Sequence, residues 1–75
     1  MKTIVKIVET IDNWGGEVVY EKEQDILDYL KDPASLDTDD AVFYYEEGET
    51  QNFCLLDDII GTEVMVGKQK IYIDD

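Results

Sequence analysis

The distribution of β-branched and polar residues over the first 22 positions predicts a β-hairpin. Residues 3–11 are rich in Ile, Val and Thr, which lose rotamer freedom in a helix and therefore favour a strand. The apolar positions 4, 7, 8 and 11 also fit one face of a helix, but composition favours the strand. The sequence "DNWGG" that follows is typical of a turn, and residues 17–22 predict an antiparallel second strand.

The hydrophobic period changes after residue 22, which predicts a helix over residues 23–33. Ile26, Leu27 and Leu30 fall on one face at the i, i+3 and i+4 spacing of an amphipathic helix. Pro33 disfavours the helical conformation of the residue before it, so the helix should end near Asp32. A polar linker then leads to residue 41.

Strand patterns dominate the second half of the chain. Residues 41–47 form the clearest strand, and residues 51–60 fit either a strand ending at Asp57 or a strand followed by one helical turn. Residues 62–75 predict a closing hairpin with Gly67 in its turn. The sequence therefore predicts a single α+β domain over residues 1–75, in which a small, mostly antiparallel β-sheet of about four or five strands packs against one main α-helix, in β-β-α-β-β-β order.

The composition changes this picture by adding an extreme negative charge. The 75 residues carry 19 acidic side chains against six lysines, which gives a net charge of −13. A magnitude of roughly 2 to 8 is usual for a small domain. The 44% hydrophobic content argues against a disordered acidic tail. A field of this sign disfavours direct binding to nucleic acid or to an anionic membrane, and it favours basic protein partners.

The pattern of cysteine and apolar residues predicts a soluble cytoplasmic protein. Cys54 is the only cysteine, so an internal disulfide is impossible, which suits a reducing compartment. The N-terminal segment lacks the long apolar run of a signal peptide. No stretch approaches the roughly 18 apolar residues of a membrane span.

The residue types argue against an enzyme, and we expect no catalytic residue and no cofactor. The chain has neither histidine nor arginine, so it lacks the commonest general base and a bidentate clamp for phosphate. The neighbours of Cys54 are apolar, and Asp57 and Asp58 follow closely. Both features raise the pKa of a thiol and lower its reactivity, which favours a buried structural cysteine.

Three carboxylates, Asp37, Asp39 and Asp40, form a D-x-D-D cluster of the kind that calcium can bind. An EF-hand loop counted from Asp37 requires glycine at its sixth position and glutamate at its twelfth, whereas Val42 and Gly48 stand there. The sequence therefore predicts no specific metal site. Weak binding of a divalent cation to this cluster stays open.

The segment from residue 32 to residue 50 concentrates the acidic charge, with seven carboxylates, three aromatic rings and no basic residue. Strand alternation places Ala41, Phe43 and Tyr45 on one side, which we expect to pack under the helix. Val42 and Tyr44 then lie on the other side, partly exposed. In the simplest interpretation the acids are a solvated face and the rings belong to the core.

In a second interpretation the same segment imitates nucleic acid and fills a groove rich in Lys and Arg. The tyrosines would insert among the partner's arginines, as aromatic anchors do in interfaces. Trp14 can take part, although a lid over the first hairpin is the better interpretation for it. The residues predicted to bind the partner are Asp37, Asp39, Asp40, Glu46, Glu47 and Glu49 for charge, with Tyr44 as the central packing contact.

In size and charge the chain resembles phage-encoded inhibitors of host defence, namely anti-CRISPR and anti-restriction proteins that imitate DNA. This resemblance is strongest in the segment "LDTDDAVFYYEEGET". It implies a non-enzymatic inhibitor in the host cytoplasm that occupies the nucleic-acid channel of a defence effector such as a Cas complex. No residue motif defines this group, so the resemblance assigns no functional residue.

Two alternatives stay open on the sequence. The protein can instead be an immunity protein or antitoxin for a basic toxin such as a nuclease, since both roles require an acidic plug for a basic site. It can also be an acidic soluble domain with no charge-dependent partner. A neighbouring toxin gene would favour the immunity protein, and a prophage setting would favour the defence inhibitor. The oligomeric state is also open.

Overall fold

The computed structural model describes residues 1–11, 16–47 and 50–74. Within these ranges the chain forms six strands and one α-helix, which confirms the α+β class. The elements are β1 (Lys2–Ile11), β2 (Gly16–Tyr20), α1 (Glu23–Leu30), β3 (Ala41–Glu46), β4 (Gln51–Leu55), β5 (Glu63–Val66) and β6 (Gln69–Tyr72). The predicted order lacked one strand, because residues 51–55 and both arms of the final hairpin each form a strand of their own.

The long first strand organises the sheet. Along the sheet the strands run β4-β3-β1-β5-β6, and β2 also pairs with β1. Residues 7 and 8 of β1 pair with both β2 and β3, and residues 3 and 4 pair with both β3 and β5. The strands β2 and β5 therefore lie on the same side of β1, beside its two halves. Only the β1–β5 pairing is parallel among these strands, so the sheet is mostly antiparallel, as predicted.

A bulge at Val5 explains why β1 looks partly helical in sequence. Ile4 pairs with Tyr44 and Lys6 pairs with Phe43, so Val5 is an extra residue opposite β3. An extra residue reverses the alternation of side chains, and Ile4 and Ile7 can therefore point to the same face. Both are buried, although three positions separate them.

The helix α1 covers one face of the sheet. Ile26, Leu27 and Leu30 are buried, as their spacing predicts, and Tyr29 is buried beside them. They form one hydrophobic core with buried residues of the sheet, of the segment after β4 and of the position after β6, namely Ile4, Ile7, Val42, Leu56, Ile59, Val64, Val66, Ile71 and Ile73. Full burial of one such aliphatic side chain stabilises the fold by roughly 1.5–3 kcal/mol.

The predicted end of the helix is two residues too long. The last helical residue is Leu30, and Lys31 caps the helix. Asp32 is extended, as expected before proline, and its carboxylate accepts hydrogen bonds from the backbone N–H of Ala34 and the hydroxyl of Ser35. These bonds hold a short 3₁₀ turn at Pro33–Ser35.

The ambiguous segment 51–60 and the closing hairpin both have definite structures. Strand β4 ends at Leu55 and a 3₁₀ turn follows at Leu56–Asp58, so the strand does run into a helical turn. In the closing hairpin Val66 pairs with Gln69, which leaves Gly67 and Lys68 as a two-residue loop. Gly67 has φ +62°, while Lys68 does not have positive φ, as a type II′ turn requires.

The alternation predicted for β3 is correct, but the side that packs under the helix is the opposite of the predicted one. Val42 is fully buried and Tyr44 packs against the core, because they pair with Ile7 and Ile4 on the helix-covered face. Phe43 and Tyr45 lie on the uncovered face and are only partly buried. The pairing with the bulged strand, which the sequence of β3 does not reveal, decides which face meets the helix.

Among the described residues, no helix has the length and apolar character needed to cross a membrane.

Candidate partner-binding site

The structure divides the acidic segment 32–50 into two separate parts. Asp37 and Asp39 precede β3, whereas Glu46 and Glu47 lie at its far end. Strand β3 has five residue steps of about 3.4 Å each, so the two pairs are separated by about 17 Å of strand. The predicted residue Glu49 and the proposed lid Trp14 lie outside the described residues. The predicted site is therefore not one continuous patch.

Asp40 is a buried structural residue, and this corrects its predicted role as a surface charge. Its side chain is 0% exposed. The hydroxyl of Tyr29 donates a hydrogen bond to Oδ2, and the backbone N–H of Thr10 donates to Oδ1 at 3.2 Å. Burial raises the pKa of the Asp40 carboxyl, and these two hydrogen bonds oppose the rise. Asp40 joins α1, β1 and β3 and is not accessible to a partner.

Asp37 and Asp39 are exposed, and the first of them shapes the loop before β3. The carboxylate of Asp37 accepts a hydrogen bond from the backbone N–H of Asp39 at 3.0 Å, a local turn typical of aspartate. The backbone N–H of Asp37 donates to the Tyr29 hydroxyl at 3.1 Å. Over the residues that the structure covers, no three His, Cys, Asp or Glu side chains are grouped so as to hold a metal ion.

Tyr44, the predicted central contact, lies on the core side of β3 near the acidic end of that strand. The ammonium of Lys2 lies 5.1 Å from the centre of the Tyr44 ring and 3.8 Å from a carboxylate oxygen of Glu46. Lys2 therefore offsets part of the Glu46 charge, and Tyr44 is partly exposed, as the sequence predicted. Glu47 follows with φ +52°, a left-handed conformation that non-glycine residues rarely adopt.

Four exposed acids on α1 and in the turn after it were not among the predicted binding residues, namely Glu23, Asp25, Asp28 and Asp32. Six exposed carboxylates lie on α1 and the segment between α1 and β3, with Lys31 as the only basic residue among them. We call this set the acidic surface: Glu23, Asp25, Asp28, Asp32, Asp37 and Asp39. The spacing of Asp25 and Asp28 in a predicted helix was the available signal, since residues three apart share a helix face.

An open pocket of about 280 Å³ lies within the acidic surface, lined by Tyr20, Asp25, Asp28, Tyr29 and Ser35. The rings of Tyr20 and Tyr29 stack with their centroids 5.0 Å apart and their planes 19° apart. Two aromatic rings beside two carboxylates suit a positively charged group, because rings and carboxylates both attract cations.

The pocket is supported from the sheet side by a hydrogen bond. The hydroxyl of Tyr20 donates to a carboxylate oxygen of Glu9 on β1 at 2.9 Å. This bond to a carboxylate, together with burial, raises the pKa of the Tyr20 hydroxyl. Tyr29 is fixed in turn by Asp40, so both rings have defined positions. The two tyrosines thus form a preorganised wall of the pocket.

The face of the sheet opposite α1 has a different character. The rings of Phe43 and Phe53 lie 5.8 Å apart, and the ammonium of Lys6 lies 4.7 Å from the centre of the Phe43 ring. Phe53 is 67% exposed and Leu55 is 47% exposed. Where β3 and β4 form it, this uncovered face is therefore aromatic and apolar, in contrast to the acidic surface.

Cys54 lies on β4 with its side chain partly buried against the core. Burial, followed by the nearby charge of Asp58, raises the pKa of its thiol, while Lys2 lowers it. The direction agrees with the sequence-based expectation, and a raised pKa leaves less of the reactive thiolate at neutral pH.

Comparisons with protein-family models, with curated proteins and with solved structures found no match for this chain.

Proposed function

We propose that the protein is a non-enzymatic acidic inhibitor, which binds the basic nucleic-acid-binding site of another protein and occludes it. The observation that carries the proposal is the acidic surface with its tyrosine-walled pocket. A partner of the expected kind is a defence effector or a nuclease whose channel is rich in Lys and Arg.

Electrostatics supports a partner of this class. With a net charge of −13, the protein attracts a basic groove and repels nucleic acid itself. The acids that meet such a groove are exposed side chains of α1 and the loop before β3, which are held by a folded scaffold. Phosphate groups bind the same grooves through the same charge, so the two ligands would compete.

The pocket gives the proposed contact a specific element beyond charge. A lysine or arginine of the partner can enter between the carboxylates of Asp25 and Asp28 and lie against the rings of Tyr20 and Tyr29. Removal from water strengthens both the ionic and the cation–π contributions at such a position. Aromatic anchors surrounded by polar groups are typical of residues that dominate binding energy.

The test is recovery of a partner from lysates of candidate host cells with the tagged protein at low salt. A charge-driven partner should be a basic nucleic-acid-binding protein, should resist nuclease treatment, should be displaced by free DNA, and should be lost at about 0.5 M salt, where screening is strong. The variant with Asp25→Asn and Asp28→Asn should recover much less of it.

A matched control removes two exposed charges outside the acidic surface, through Glu21→Gln and Glu63→Gln. This control should recover the partner nearly as well as the parent protein. If both double variants recover it equally, total charge decides and the pocket has no role. If no basic protein is recovered at low salt, the proposed function is wrong.

A further inference from the structure

Strand β4 is an open edge of the sheet whose backbone groups are available for pairing. It pairs with β3 alone among the described strands. The backbone N–H of Leu56 donates to the carbonyl of Asp40 at 2.8 Å, which continues the register of the two strands. Hydrogen-bonded pairs alternate in an antiparallel ladder, so the backbone groups of Phe53 and Leu55 point away from β3, toward the open edge.

This edge lacks the protection that sheet edges usually have. Charged side chains, proline or bulges normally prevent another strand from adding to an edge. A third of the residues in the chain are charged, yet Thr50–Leu56 contains no charge and no proline. Strand β6, which also has a single partner among the described strands, carries Lys70.

The side chains of β4 offer an apolar contact next to the open backbone. Phe53 and Leu55 are both exposed on the uncovered face, and Phe43 packs beside Phe53 from the neighbouring strand. An added strand would hydrogen-bond to the edge and place alternate side chains against these two residues. Edge addition of this kind takes its affinity from backbone bonds and its specificity from alternate side chains.

Charge at the two ends of β4 decides which occupant fits. Glu46 and Glu47 lie at the end near the β3–β4 turn, and Asp57 and Asp58 follow the other end, all exposed. If β4 of a second copy added at this edge, acids would lie beside acids in either orientation, since both ends of β4 are negative. A segment with an uncharged, alternating centre and Lys or Arg at both ends is complementary along its whole length.

We infer that the open edge of β4 binds an extended segment of a basic partner, which adds to the sheet as a further strand. The segment has apolar residues at alternate positions in its centre and lysine or arginine at each end. The positive charge of this partner rests on the proposed function, while the edge itself is a property of the fold. The partner would then contact the protein at two places, the acidic surface and the β4 edge.

The experiment uses the full-length protein and a synthetic peptide with paired lysines at each end and alternating valine and threonine between them. Binding is measured by fluorescence anisotropy, and the contact is located by amide chemical shifts in NMR spectra. We expect saturable binding with the largest shifts at Gln51, Phe53 and Leu55. A peptide with paired glutamates at its ends should not bind.

Two matched variants place a lysine on an exposed aromatic position of an edge strand. Phe53→Lys alters β4, and Tyr72→Lys alters β6, where the ring is 57% exposed. Phe53→Lys should weaken peptide binding by roughly tenfold or more, as loss of a central aromatic contact does, and Tyr72→Lys should change it less than about twofold.

Several outcomes would overturn the inference. Equal binding of the peptide to both variants would mean that it is held by charge alone. Shifts confined to α1 would place it on the acidic surface. Sedimentation showing a dimer that Phe53→Lys dissociates would assign the edge to a second copy. Recovery of a basic partner that depends on Asp25 and Asp28, without peptide binding, would reject the edge and retain the proposed function. Binding of the peptide at β4, without recovery of any basic protein, would reject the proposed function alone.

Discussion

The hydroxyl of Tyr29 donates a hydrogen bond to the buried carboxylate of Asp40, and this contact fastens the helix to the start of β3. The same hydroxyl accepts a hydrogen bond from the backbone N–H of Asp37. One phenol group therefore links the helix, the loop before β3 and the sheet.

Replacing Asp40 with alanine should destabilise the protein by about 2–4 kcal/mol, because the Tyr29 hydroxyl and the Thr10 N–H would lose their buried acceptor. Asp39→Ala is the control, since this exposed side chain should change stability by less than about 0.5 kcal/mol. Urea unfolding followed by circular dichroism measures both. Equal effects would mean that Asp40 is not a structural residue.

The raised pKa of Asp40 predicts how stability depends on pH. The folded protein holds the Asp40 proton more tightly than the unfolded chain does, so this group stabilises the fold as pH falls through its folded-state pKa. The gain is complete below the unfolded value of about 3.9. The asparagine variant, Asp40→Asn, has no proton to gain.

Urea midpoints of the parent protein and Asp40→Asn at about pH 7 and about pH 4 measure this effect, because the lower pH lies near the pKa of an aspartate in the unfolded chain. The difference in unfolding free energy between the two proteins should move in favour of the parent at the lower pH. The neighbouring carboxylates of Glu9 and Asp37 are present in both proteins, so their contributions to the difference largely cancel. Parallel changes in the two proteins would contradict the prediction.

Glu47→Gly should stabilise the protein by about 0.5–1 kcal/mol, although glycine also adds freedom to the unfolded chain. The reason is the left-handed backbone of Glu47, with φ +52°, which glycine adopts without a steric cost. The neighbouring change Glu46→Gly should destabilise, since Glu46 has strand geometry and pairs with Lys2. Thermal unfolding of the two variants should therefore shift in opposite directions.

Gly67→Ala should destabilise the closing hairpin by about 1–2 kcal/mol, because the type II′ turn holds this residue at φ +62°. A β-carbon there would also meet the carboxylate of Glu23. The glutamate side chain is exposed and can move, so the backbone should account for most of the cost. Measuring Gly67→Ala in a Glu23→Ala background separates the two causes: a cost that disappears there would assign it to the glutamate.

Truncating a side chain should cost more stability on the buried face of the β3–β4 pair than on the exposed face. Val42→Ala should cost about 1.5–2.5 kcal/mol of stability, since Val42 is fully buried in the core beside Ile7. Phe53→Ala should cost less than about 1 kcal/mol despite the larger side chain, because most of the Phe53 ring is already in water. A larger loss for Phe53→Ala in urea unfolding would reverse the assignment of faces.

Local patterns in the sequence were enough to predict the fold class and most of the elements. The amphipathic spacing of Ile26, Leu27 and Leu30 identified the helix and its buried face, and Gly67 identified the last turn. These features depend on residues close together in the chain. The face of β3 that is buried depends instead on its pairing with a bulged strand about 40 residues away, which no local pattern contains.

The predicted binding residues show the same limit. Asp37, Asp39, Glu46 and Glu47 are exposed, as a binding role requires, but adjacency in sequence did not make them one surface. The sequence around Asp40 does not distinguish it from Asp37 and Asp39. Its burial depends on hydrogen bonds from Tyr29 and Thr10, which are distant in the sequence. The charge of a residue can be read from sequence, whereas its neighbours across the fold cannot.

The parallel pairing of β1 with β5 has a consequence for how the chain is made and folds. Thr3 pairs with Met65 and Ile4 pairs with Val66. Strand β1 therefore has all its paired strands only when β5 is present. Closing a loop of this length costs conformational entropy before any contact compensates for it, and distant pairings slow folding. On the ribosome, β1 can gain this parallel neighbour only after residues 65 and 66 have emerged, and we expect the sheet to form in one cooperative step after that point.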